Sequence, residues 1–139
     1  MVNVLSVGWS PADPGLADWY VDNSPLARWL SRFGHEVPAP RAHGVFATRH
    51  PDDLRALLGR PAPSGRVPLY RCARCGDPDC GVLAVRVTRD ENAVQATVTW
   101  TDFAWEADGD PERFAAPTIT FDLARYEAVF RHLPHRRTA

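Results

Sequence analysis

Three cysteines, Cys72, Cys75 and Cys80, lie within nine residues of one another, in the segment Tyr70-Arg71-Cys72-Ala73-Arg74-Cys75-Gly76-Asp77-Pro78-Asp79-Cys80-Gly81. A C-x2-C spacing lets the chain fold back so that two thiolates face one ion. Cys80 returns after a four-residue loop. Gly76 and Gly81 directly follow the second and third cysteines. Glycine there lets the backbone turn left-handed and aim N–H groups at sulfur, which offsets thiolate charge. The pattern resembles half of a zinc ribbon and predicts a knuckle at the tip of a hairpin.

Tetrahedral zinc needs a fourth ligand. His43, beside Gly44 in an irregular stretch, is the first candidate. Asp77, Asp79, water or a partner chain are the others. His35 and His50 stand next to helix ends, and His132 and His135 fall in the tail. Three protein ligands and an open position would resemble a catalytic zinc, but no glutamate is placed as its base. Two further readings stay open. The cysteines could be small turn residues without a ligand, or Cys72 and Cys75 could form a redox disulfide. A thioredoxin-like C-x2-C stands at a helix N-terminus. Here Gly76, Asp77 and Pro78 follow, the next regular element reads as a strand, and the acidic neighbours disfavour a thiolate.

The other dense segment is Trp100-Thr101-Asp102-Phe103-Ala104-Trp105-Glu106. Trp100, Asp102 and Trp105 could line a binding groove, since aromatic residues commonly anchor interfaces. The alternative puts Trp100 and Phe103 in the core with Asp102 and Glu106 solvated. Trp9 and Trp19, in a proline-bearing stretch, either cover the edge of the core or mark a partner site. The chain has no Gly-rich phosphate loop, no nucleophile elbow and no His-Glu-x-x-His.

Composition narrows the classes. The 139 residues suit a single domain, 1–139. A formal net charge of -1 gives no global field toward nucleic acid or an anionic membrane. No apolar run approaches the ~20 residues that span a bilayer. All 16 basic residues are arginine, and Ile119 is the only isoleucine. That bias reads as a GC-rich genome, so the arginines carry little evidence for phosphate binding. An odd, clustered cysteine count is unlike a secreted disulfide scaffold. Residues 1–8 show no basic and apolar signal-peptide pattern. A reducing cytoplasm is the expected compartment.

The elements that must position these residues follow from periodicity. Residues 2–8 read as a strand and residues 9–23 as loop. Leu26, Trp29, Leu30 and Phe33 recur at i, i+3, i+4 and i+7, which predicts a helix from Pro25 to Phe33 capped by Asn23 or Ser24 and ended by Gly34. A second helix, Pro51 to Leu58, presents Leu54, Leu57 and Leu58 and stops at Gly59. Val67 to Cys72 and Val82 to Thr88 read as strands, with a turn at Asp90-Glu91-Asn92. Val94, Ala96, Val98 and Trp100 alternate with polar residues, the pattern of a half-buried antiparallel strand. Thr118 to Phe121 is a short strand. Asp122 caps a last helix bearing Leu123, Tyr126, Phe130 and Leu133. The fold class is α+β: an antiparallel β-meander with about three helices on one face.

At Cys72–Gly81, at Val98-Thr99-Trp100-Thr101-Asp102-Phe103 and at Thr120-Phe121-Asp122 with Tyr126, the chain resembles a family of small uncharacterised bacterial proteins, many of them actinobacterial. These share the knuckle, the aromatic strand and the final helix, over roughly residues 64–130 of this chain. The resemblance implies no activity.

Together these features predict a small zinc-binding protein with a structural three-cysteine knuckle, acting as a protein-binding module and not on nucleic acid or at a membrane. An immunity or antitoxin-like protein is a special case of that reading. A thiol oxidoreductase or a zinc-dependent enzyme is the rival class.

Overall fold

The computed structural model describes residues 2–11, 15–34, 45–48, 50–60, 62–72, 81–92, 94–107 and 110–133, with backbone alone at 45, 46 and 72. The chain is α+β, with three helices and antiparallel sheets among the described residues.

The first sheet corrects the expectation of a loop at 9–23. β1 (Leu5–Trp9) pairs antiparallel with β2 (Ala17–Val21), and β3 (Ser24–Pro25) adds to β2. The signal was weak because β2 does not alternate: four of its five residues are buried, and one of them, Asp18, is charged. Asp22 and Asn23 join β2 to β3 with φ of 50° and 66°. Two left-handed central residues make the tight turn that suits a hairpin's twist, and Asp and Asn tolerate that region. The Asp22 carboxylate accepts from Asn3 Nδ2 at 2.7 Å and from the Val4 amide at 2.8 Å, which ties the turn to the start of β1.

The second sheet is the expected meander. Its order is β4 (Val45–Ala47), β5 (Val67–Cys72), β6 (Val82–Asp90), β7 (Thr97–Glu106), β8 (Glu112–Arg113). β9 (Ile119–Asp122) pairs with the first half of β7, and β8 with its second half. A bridge from Asn3 to Phe121 links the two sheets, with the Asn3 amide donating to Thr120 O at 2.6 Å. Val94, expected on the β7 face, lies before that strand and is fully exposed.

α1 (Leu26–Ser31) starts after Pro25 and makes no side-chain cap bond, so neither Asn23 nor Ser24 caps it. α2 (Pro51–Leu57) is capped by His50, whose Nδ1 accepts from the Asp52 amide at 3.3 Å. α3 (Leu123–Arg131) is capped by Asp122, which accepts from the Arg125 amide at 3.0 Å. That bond, and a second from Gln95, hold the Asp122 carboxyl below its usual range.

One core cluster joins both sheets and all three helices. Its centre is aromatic: Trp19 meets Trp100 edge-on at 6.2 Å, and Trp100 meets Phe121 at 4.8 Å. The polar ends of these side chains need partners in the interior. Trp100 Nε1 donates to Tyr126 Oη at 3.1 Å, and the Tyr126 hydroxyl donates to Leu57 O at 2.6 Å. Burial pushes the Tyr126 phenol well up from its ordinary value. Tyr126→Phe should therefore cost about 1–3 kcal/mol, because a buried donor and a buried acceptor both lose their partner. Urea denaturation checks this: the midpoint should fall with the slope unchanged.

Candidate metal centre

β5 ends at Cys72 and β6 begins at Val82. The two strands pair antiparallel, with Tyr70 opposite Leu83 and Val67 opposite Val85. The backbone of Cys72 pairs with Val45 of β4. Cys75, Cys80, Asp77, Asp79 and the proposed fourth ligand His43 lie outside the described residues, as does the Cys72 side chain. Among the described residues no group of three or more His, Cys, Asp or Glu is arranged to hold a metal. His50 is engaged in capping α2, and His132 follows α3.

The base of this hairpin is tightly built. Gly81 has φ +103°, and a Cβ there would lie within 2.8 Å of the Trp105 indole atoms Cζ2, Cε2 and Nε1. Only glycine both takes this backbone and leaves room for the ring. Gly81, the residue that follows Cys80, thus meets Trp105, from the other segment that the sequence marks. On β5 beside Cys72, Arg71 Nε donates to Asp53 Oδ2 at 2.8 Å. Thr48 Oγ1 donates to the same oxygen at 2.6 Å. This nearly buried pair fixes the end of β5 to α2.

The residues suggested for binding separate. Trp100 is wholly buried, so it belongs to the core and not to a groove. The alternation of Val98 and Trp100 with polar residues already puts it on the apolar face of β7. Trp19 is likewise core, with its Nε1 donating to Leu69 O at 2.7 Å. Trp105 is half-buried and leans on Gly81.

Asp102 sits at a β-bulge, where the pairing passes from Ala84 opposite Ala104 to Arg86 opposite Thr101. Its φ of 57° is left-handed. The sequence did carry this signal: the apolar parity of β7 switches from Val98 and Trp100 to Phe103 and Trp105, which an unbroken strand would not show. The Asp102 carboxylate accepts from Arg66 Nη2 at 2.9 Å and Arg86 Nε at 2.8 Å, while Arg66 Nη1 donates to Glu106 at 3.0 Å. The Arg66 side chain is only 6% exposed, so these bonds satisfy a buried cation. Asp102 is a structural anchor first.

No match to this chain is found among protein-family models, curated proteins or solved structures. Among the described residues no helix is long and apolar enough to cross a membrane.

Two predictions follow from this geometry. Gly34 also has positive φ, +83°, but open space around its missing Cβ. Gly34→Ala should cost only the backbone strain, about 1 kcal/mol. Gly81→Ala should cost clearly more, because the Trp105 ring must also move, and paired denaturation curves measure the difference. Hydrogen bonds from Arg66 and then Arg86 hold the Asp102 carboxyl below its usual range. A depressed carboxyl contributes stability that is present above its unfolded value and lost as pH falls through the folded one. Asp102→Asn keeps a residue tolerant of positive φ, so it should flatten the loss of stability below about pH 4. Acid unfolding followed by circular dichroism reads this.

Proposed function

We propose that this chain is a small zinc-binding module in which Cys72, Cys75 and Cys80 hold one ion and staple the β5–β6 hairpin. His43 is the first candidate for the fourth ligand. The observation that carries the reading is the antiparallel β5–β6 pair that brackets the three cysteines. A knuckle of this kind needs a chain that leaves one strand and returns along its neighbour, and the β5–β6 pair supplies those two strands. The left-handed Gly81, packed under Trp105, supports a fixed exit from that loop. Zinc bound in this way supplies folding energy and needs no open coordination position.

The biological role in this proposal is binding of a protein partner in the cytoplasm. The surface beside the hairpin suits it, with Trp105 half-buried and Arg86 and Arg113 largely exposed around Asp102. The resemblance to small bacterial proteins with the same knuckle belongs to this proposal and supplies no activity.

Elemental mass spectrometry of protein purified without added metal, combined with a thiol count, tests the site. The expected result is about one zinc per chain, with the three thiols titrating only after chelation. Metal-free protein with three freely reactive thiols would remove the zinc reading.

A further inference from the structure

Two carboxylates are buried among the described residues, Asp18 and Asp53. Asp53 faces a cation, Arg71. Asp18 does not. Its carboxylate receives the Tyr70 hydroxyl from β5 and the backbone N–H of Trp19 from its own strand. Across β1 it lies opposite Gly8, which brings no charge. Tyr20 on β2 spends its hydroxyl on Trp9 O. From α1, the backbone of Ala27 bonds the Tyr70 hydroxyl, Arg28 points to solvent, and Arg32 donates to Ser24 Oγ at 2.9 Å. Among the described residues no cationic side chain answers Asp18.

The position of this group matters as much as its burial. Trp19 and Asp18 are consecutive on β2, and their partners Leu69 and Tyr70 are consecutive on β5. These two bonds join the small sheet to β5 of the large one, away from the Asn3–Phe121 bridge. A neutral carboxyl rests in such a site at little cost, whereas an ionised one loses hydration without gaining a counter-charge from any described residue.

We propose that Asp18 is the protonation-sensitive element of a latch between the two sheets, closed while Asp18 is neutral and loosened when it ionises, because the hydrogen bond from Tyr70 offsets only part of the lost hydration. Burial, against the two hydrogen bonds, pushes the Asp18 carboxyl up to about 6. A carboxyl raised above its unfolded value near 3.9 favours the closed form at low pH. Closure weakens as pH rises from about 4 to 6, and the deficit is constant above that. A shift of two units limits the change in the opening equilibrium to about 100-fold.

The test is carbon-detected NMR titration of the Asp18 carboxyl together with amide hydrogen exchange of the full chain between pH 4.5 and 7.5, corrected for intrinsic exchange. The expected midpoint is near 6, and protection at Trp19 and Val21 should fall by tens of fold across the range. In Asp18→Asn, whose side-chain oxygen still accepts from Tyr70, that fall should vanish. A midpoint near 4, or the same pH slope in both proteins, overturns the latch. Should the Asn variant not fold, Tyr70→Phe decides: losing a bond that lowers the midpoint must raise it further, and an unmoved midpoint overturns the proposal.

Discussion

The structure depends on one constraint, that the polar ends of large buried aromatic side chains must be satisfied without water. Trp19, Tyr70, Trp100 and Tyr126 are all essentially inaccessible. An amide or hydroxyl left unpaired there costs about 1–3 kcal/mol, a large share of the stability of a small domain. The partners found are few and specific: Leu69 O, the Asp18 carboxyl, and the chain from Trp100 through Tyr126 to Leu57 O. Leu57 is the last residue of α2, where a helix leaves its carbonyls without intrahelical donors. The Tyr126 hydroxyl caps it from α3. The same bonds that satisfy the aromatics therefore set β2 on β5, and α3 against both β7 and the end of α2.

The same arrangement anchors strands β5 and β6. β5 pairs with β4 and β6, is tied to β2 through the Trp19 and Asp18 bonds, and is held at its end by the Arg71–Asp53 pair, to which Thr48 also bonds. β6 is held by the long ladder to β7, which carries Trp105 over Gly81. A connection that leaves and re-enters between such strands suits a metal knuckle. In the proposed zinc module the cysteines would hold the connection, while the core holds the strands on either side of it.

Much of this was legible in the sequence, for physical reasons. The helices announced themselves through apolar residues at helical spacing, and Gly34 and Gly59 stopped α1 and α2 with φ of +83° and +77°. The β5, β6 and β9 strands followed from short apolar runs between turn residues. The rest failed where the pattern and the environment part company. β2 is buried on both faces, so it shows no alternation, and Pro11, Pro14 and Gly15 just before it read as loop. The Asp22-Asn23 turn was a usable signal for that hairpin and went unread. Trp100 ends the alternating run that includes Val98, whereas Trp105 lies beyond the bulge at Asp102, which leaves Trp100 in the core and Trp105 beside the hairpin. Neither the Asp18–Tyr70 bond nor the Trp19–Leu69 bond leaves any local trace, since each joins residues about fifty positions apart.

The central claim is that the three cysteines bind one ion together. Titrating the metal-free, fully reduced protein with cobalt(II) and recording its absorption tests this most directly. The account predicts intense thiolate-to-metal charge-transfer bands that saturate at one equivalent, with tetrahedral ligand-field bands that are lost in Cys80→Ser. Reduced protein that takes up no cobalt, or shows no thiolate band, would contradict it.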